Sequence, residues 1–595
     1  MINRTTRLRW RRRFRRHRNQ VEDLGFQAEE QIERHFFKRL SKLADVRRFV
    51  LSWMLLFVLL IGGVVYQRTT LGNYYESLQP VPGGTFTEGM VGSFTNANPL
   101  YATGAVDSAV SHLVFAGLLK YDSNNLLVGD LAEKWTVDAK ETTYTITLRD
   151  NLRWQDGAPL TANDVVFTYH TIQNPDAKSP LLASWQGIQV SAANDKTVVF
   201  TLPNSLSAFP HSLTNGIVPA HLLAATPAAQ LRATRFNTAT PIGAGPFKWS
   251  AIELTGEASP DRQGRIGLVA NELYYGGSPK LNRYIIRYFA EEKQMLSSFE
   301  NHELTAMSGI EVLPDNFKAD ASVEQYNIPL TAQVMVFFRT SQEVLSDVKV
   351  RQALVQAVDQ KTLVDNIGFP VIATKEPFLQ DQPGFNPAIT QLSYNVDAAS
   401  KLLTEAGWLP GKDGIRVKNG KQLTFSLYSQ STSEYAYVTQ KLQADWAKIG
   451  VKVEVLLQPD SDLQSTVADH TYEALLYGIS LGPDPDAYAY WGSTQADQRA
   501  ANRVNFSEYK SAVADKALEG GRTRSDPALR TLKYKPFLEA WRNDAPALAL
   551  YQPRYLYVSR DTIHGFNPTV MNVSTDRYTN VYNWMIRQEK VRKLQ

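Results

Sequence analysis

The sequence predicts a mixed α/β fold carried behind one membrane-spanning helix. Three observations predict it: apolar residues recur at helical spacing in some segments and at alternate positions in others, a charge-free apolar run lies near the N-terminus, and the charge is divided between the two sides of that run. At 595 residues the chain is too long for one ordinary core and implies several domain-sized units. An aromatic content of 11% excludes a mainly disordered chain.

Along the chain the charge division comes first. The net charge is +4, yet residues 1–48 carry 15 Lys and Arg against 6 Asp and Glu, which makes that arm +9 and the remainder −5. Its densest stretch, Arg7 to Arg18, read alone would suit nucleic acid. The next segment decides otherwise. Residues 49–67, FVLSWMLLFVLLIGGVVYQ, hold no charged residue and come close to the roughly 20 that cross a bilayer as a helix. Arg47 and Arg48 flank one side, and on the other Arg68 is the sole Lys or Arg before Lys120. The positive-inside bias therefore predicts a cytoplasmic N-terminus, a single pass, and the bulk of the chain on the extracellular or periplasmic side. The arm then reads as a topology signal that contacts anionic lipid headgroups, with no nucleic-acid partner. Within it, residues 21–43, with Phe26, Ile32, Phe36, Phe37 and Leu40, predict an amphipathic juxtamembrane helix. No small-x-small cleavage pattern follows the apolar run and the chain has no cysteine, so a retained tether without disulfides or a lipidated thiol is expected. Residues 68–83, leading to Leu78-Gln-Pro-Val-Pro-Gly-Gly84, read as a linker.

Beyond Gly84 strands and helices intermix. Tyr144 to Leu148 alternates apolar and polar residues as a strand does, Trp154-Gln-Asp-Gly157 ends in a turn pair, and Thr161 with Asp164 fits a helix start. His170, with no second histidine at i+3 or i+4, reads as scaffold. Val350 to Val364 predicts one amphipathic helix, with apolar residues at 350, 354, 357, 358 and 364. Asp397 is placed to cap a helix through Lys401–Ala406 that stops at Gly407. A further helix over 433–449 stops at Gly450, before a strand at 451–455.

Chemistry-bearing motifs are missing from this pattern. There is no Gly-x-Ser-x-Gly, no phosphate-binding loop and no cysteine nucleophile, and Asn301-His302-Glu303-Leu304-Thr305 lacks the second histidine of a zinc protease helix. A carboxylate pair for glycoside hydrolysis stays open among the 59 acids. The expectation is a chain with no catalytic residue, cofactor or metal site.

In this order, several segments resemble the family 5 extracellular solute-binding proteins, the receptors of peptide-type ABC importers. The most specific are Leu131-Ala-Glu-Lys-Trp135, Tyr144-Thr-Ile-Thr-Leu-Arg149, Trp154-Gln-Asp-Gly157 and Leu160-Thr-Ala-Asn-Asp-Val165. Supporting matches are Pro241-Ile-Gly-Ala-Gly-Pro-Phe247, Val350-Arg-Gln-Ala-Leu354, Ala399 to Trp408, Pro483-Asp-Pro485 and Asp544-Ala-Pro546. The resemblance spans Gly84 to about Asn583. It implies a periplasmic-binding-protein-like fold of type II, with lobe I from 84–118, 239–339 and 552–595, an extra domain at 119–238, and lobe II at 340–551. It also implies an oligopeptide held in the interlobe cleft of a monomer and delivered to an ABC permease. A non-peptide solute such as an oligosaccharide, or a ligand sensor, is the alternative.

The resemblance implies contacts from Ser93, Phe94 and Thr95 on one lobe and from Tyr477, Gly478, Ile479, Leu481 and Trp491 on the other. The aromatic members read equally well as core. In peptide receptors of this family an aspartate before the Asp-Pro pair binds the free amino group; here Leu481 falls at that position. Asp484 or Asp486 then takes the role after a local shift, or caps a helix, or the solute lacks a free N-terminus there.

Overall fold

The computed structural model describes residues 47–256, 263–497, 499, 500 and 503–592. The basic arm and its expected juxtamembrane helix lie outside the described residues. The chain falls into two compact units. The first reaches Gln79 and resumes at Gln588; the second runs from Pro80 to Arg587.

In the first unit one helix, Arg47–Tyr75, contains the apolar run. Its stretch Phe49–Arg68 is, among the described residues, the one helix long and apolar enough to cross a membrane by length and composition. The helix continues through much of the expected 68–83 linker. Glu76–Val81, also expected as linker, pairs with Arg587–Arg592 in a two-stranded sheet.

The second unit is built on three main sheets. A seven-stranded sheet orders Val323–Pro329, Arg554–Arg560, Ala306–Ser308, Thr85–Val91, Arg283–Phe289, Gln263–Ala270 and Phe247–Thr255. A six-stranded sheet orders Ile372–Ala373, Ala547–Gln552, Ala332–Phe338, Ala474–Ser480, Thr424–Gln430 and Lys452–Gln458. The third, antiparallel sheet orders Ala132–Val137, Thr143–Leu148, Thr197–Thr201 and Gln189–Asn194. Ala332–Phe338 lies inside the second sheet, so that body begins before the expected 340. The reason is pairing: this strand bonds Ala474–Ser480 on one side and Ala547–Gln552 on the other.

The chain passes between the first two sheets at Leu330–Thr331 and again at Pro553. These crossings bond each other, Leu330 N–H to the Pro553 carbonyl at 2.9 Å and Gln552 Nε2 to the Leu330 carbonyl at 2.8 Å. Short paired crossings of this kind form a natural hinge.

Local signals acted largely as their chemistry dictates. Thr143–Leu148 buries Tyr144, Ile146 and Leu148 on one face. Asp164 accepts from the Thr161 amide at 2.8 Å at the start of the helix Ala162–Gln173. His170 Nε2 meets the Val190 carbonyl at 3.1 Å, holding that helix to the sheet. Two helix expectations need correction. Val350–Val364 is two helices, Val348–Gln356 and Gln360–Asp365, because Asp359 caps the second through the Thr362 amide. The helix Val396–Glu405 is capped by Asn395, whose side chain accepts from the Ala398 amide, while Asp397 lies in its first turn.

The recognisable motifs meet in pairs. Gln155 exchanges backbone and side-chain bonds with Gly243, each at 3.0 Å, and its Nε2 donates to the Phe247 carbonyl at 2.8 Å. A Cβ on Gly243 would stand 2.0 Å from the Val114 carbonyl, so only glycine fits there. Likewise Arg351 clasps the Asp544 carbonyl with Nε at 2.9 Å and Nη2 at 2.7 Å. These segments hold the scaffold together across long sequence separations.

Candidate functional site

Within the second unit a cavity of about 570 Å³ opens among three walls. One comes from the helix Ala105–Val114 and the neighbouring Lys120, Tyr121 and His211; another from Ser480–Asp484, just past a strand of the second sheet; the third from Asn572–Tyr582. Two walls approach each other where His211 Nε2 stands 3.9 Å from Asp484; outside the cavity the Ser207 amide donates to the Arg522 carbonyl at 3.0 Å. The volume falls in the range of small-ligand sites.

Charge in the walls is mostly compensated. Lys120 Nζ lies 3.4 Å from Asp130 and donates to the Tyr275 hydroxyl at 3.0 Å, while that hydroxyl donates to Asp130. The rings of Tyr275 and Tyr582 flank the same ammonium. Asp484 is 2.5 Å from Arg530. His112 and His211 both line the cavity. Burial, then the fields of Arg577 and Lys120, push the His112 imidazole down to about 4, so it is neutral at pH 7. Burial also lowers His211, with Asp484 opposing and Arg530 adding to the shift. Burial raises the Asp576 carboxyl, against hydrogen bonds from Asn572 and Val573.

Of the residues implied by resemblance, the structure brings Leu481 and Asp484 into the cavity wall. Leu481 is 7% exposed, and its amide donates to the Thr331 carbonyl at 2.8 Å. Asp484 is engaged by Arg530, and Asp486 pairs with Arg522 at 2.6 Å, so each of these acids already has its cation.

The other implied residues lie elsewhere. Ser93 is exposed, Phe94 stacks on Trp249 at 5.7 Å, and Thr95 gives its amide and hydroxyl to Asp107 at 2.7 and 2.6 Å. Tyr477 packs its ring on Phe506 at 5.5 Å, and Gly478 faces Val334 in the sheet. Ile479 is core, and Trp491, 1% exposed, packs between Phe337 and Trp541. Burial in the core holds Ile479 and Trp491 away from the cavity.

Sequence reasoning missed His112, Lys120, Tyr121, His211 and Asp576. Nothing local marks them, because they come from segments far apart in the chain. Among the described residues no group of three or more His, Asp or Glu side chains is placed to hold a metal ion.

Comparison with known proteins matches this architecture. The family model "Bacterial extracellular solute-binding proteins, family 5 Middle" matches residues 127–500. The oligopeptide-binding protein AppA of Bacillus subtilis is 26% identical over 523 residues, 85% of this chain and 92% of the relative. The solved structure of AppA from Bacillus subtilis in complex with a nonapeptide superposes with a TM-score of 0.68 at 24% identity, covering 86% of this chain and 100% of that one. NikZ from Campylobacter jejuni, solved in complex with Ni(L-His), superposes with a TM-score of 0.70 at 27% identity, covering 84% and 99%. With a family model matched over more than half its length, this chain belongs to the family 5 bacterial extracellular solute-binding proteins.

Proposed function

We propose that this chain is a membrane-anchored receptor that captures a short peptide in the cavity between its lobes and delivers it to the permease of an ABC importer. The observation that carries the reading is the open cavity beside a two-segment hinge, an arrangement suited to binding by closure. The peptide-binding relative supports the solute class. The exposed apolar side chains of the helix Arg47–Tyr75 support the anchor.

The walls favour a short solute over a long extended one. An extended peptide pairs with free backbone amides at strand ends. Here the Leu481 and Gly482 amides both donate to the Thr331 carbonyl, at 2.8 and 3.1 Å, and the Thr95 amide is taken by Asp107. Side chains must then supply most of the grip. A second reading, a chelated metal ion, is favoured by the two imidazoles in the wall and by the relative solved with Ni(L-His).

The test is mass spectrometry of the solute released by acid from the detergent-solubilised full chain. A mixed set of short peptides is expected. A sugar, or a single non-peptide solute, would overturn the peptide reading. The anchor is tested separately: the chain should stay with membranes through alkaline carbonate washing, and release by the wash would sink it.

A further inference from the structure

Of the three aspartates in the cavity wall, two already face a cation of the protein, Asp130 with Lys120 and Asp484 with Arg530. Asp576 is the third. Among the described residues no Lys, Arg or His pairs with it, although it is 9% exposed and lines the cavity. Its Oδ2 accepts the amides of Asn572 at 2.8 Å and Val573 at 3.2 Å, which fixes the carboxyl at the start of the short helix Ser574–Tyr578. With the Asn572 side chain also bonded to the carboxyl, its partners are all neutral donors, and a carboxylate with about four lone-pair sites keeps acceptor capacity. The imidazoles of His112 and His211 cannot balance it while they are neutral. The wall therefore holds one negative charge in excess of its partners.

An unpaired carboxylate in a low-dielectric wall is costly, and a cation arriving from outside removes that cost. We propose that Asp576 is the group that receives the positive charge of the solute, in place of the Asp-Pro aspartate, so that the cavity selects compact solutes bearing an ammonium or an equivalent cation. The proposal rests on the solute-receptor reading above and narrows its substrate class. Burial that raises the Asp576 carboxyl agrees with it, because a bound cation would favour the ionised form and oppose that shift. Tyr121 stands in the fields of Asp576 and Asp484 and donates to or accepts from His211 Nδ1 at 2.9 Å, so it bounds the same end of the cavity.

The test uses the full chain in detergent, stripped of carried-over solute, with three probes: tri-alanine, N-acetyl-tri-alanine and the nickel complex of L-histidine. Tri-alanine should bind roughly 10- to 100-fold more tightly than its acetylated form, the range set by a hydrogen bond to a charged group. Asp576→Asn, which keeps an acceptor for the Asn572 and Val573 amides, should bring that ratio close to one. Because this variant could fail to fold, carbodiimide footprinting of the unmutated chain supplies a second readout: tri-alanine should protect Asp576 from labelling. If tri-alanine binds but the ratio survives in Asp576→Asn, or Asp576 stays unprotected, the inference falls while the peptide reading stands. If neither peptide binds and the nickel complex binds in an Asp576-dependent way, the peptide reading falls and the inference stands. Binding of none of the three overturns the inference.

Discussion

Two arginine–carboxylate pairs face different surroundings, and only one of them sends its acid into the cavity wall. Arg577 and Glu88, with side chains both 0% exposed, meet at 2.9 Å inside the first sheet's body, where Tyr284 and Tyr578 donate to Glu88 at 2.6 Å each. Arg530 and Asp484 meet at 2.5 Å in the second body, with Asp484 14% exposed toward the cavity. The first pair is sealed by tyrosines and supports the fold. The second has its acid in the wall, so it shapes the field that a solute meets. Buried pairs of one chemical type thus serve structure or recognition according to whether one partner reaches the cavity.

Removing the arginines would test this contrast most strongly. Arg577→Met leaves Glu88 buried without a counter-charge and should cost about 3–5 kcal/mol, read as a lowered urea midpoint. A loss below about 1 kcal/mol would show that the tyrosines alone sustain Glu88.

Protonation sharpens the comparison, because Arg577 also acts on His112. The His112 imidazole has a folded value of about 4 against an ordinary 6.5. Between those values the unfolded chain binds a proton that the folded chain refuses, so stability is complete above pH 6.5 and falls as pH drops toward 4. The loss should approach roughly 3 kcal/mol. His112→Asn should flatten this part of the stability profile, and an unchanged slope would reassign it to other groups.

A smaller effect is expected at the cavity-facing pair. Arg530→Met should cost about 1–2 kcal/mol, since water reaches Asp484 through the cavity and moderates the loss. It also frees a second negative charge in the wall, so tri-alanine should bind several-fold more tightly, and weaker binding would contradict this placement of charge. The smallest effect belongs to the scaffold. His170→Gln should change stability by no more than about 1 kcal/mol and leave tri-alanine affinity unchanged, as isothermal titration can check.

The sequence by itself determined the apolar helix, the alternating strand at Tyr144–Leu148 and the turn and cap that follow it, because these depend on neighbours within a few residues. It also showed the family resemblance, because Gly243 admits no Cβ where it meets Gln155, and Arg351 supplies the guanidinium that clasps the carbonyl at Asp544, and such contacts leave motifs. The cap at Asp359 was legible in principle, since an aspartate three residues before the Thr362 amide follows a local rule. The assignment of Ala332–Phe338 to the second sheet was not, because strand partnership is non-local. Only the tertiary structure decided the cavity. It turned Trp491 and Ile479 into core, gave Asp484 and Asp486 their arginines, and gathered Lys120, His211 and Asp576 from distant segments around one space. Whether a charge is paired depends on groups tens of residues away, as for Asp486 and Arg522, or hundreds, as for Glu88 and Arg577, and no spacing in the sequence records which groups meet.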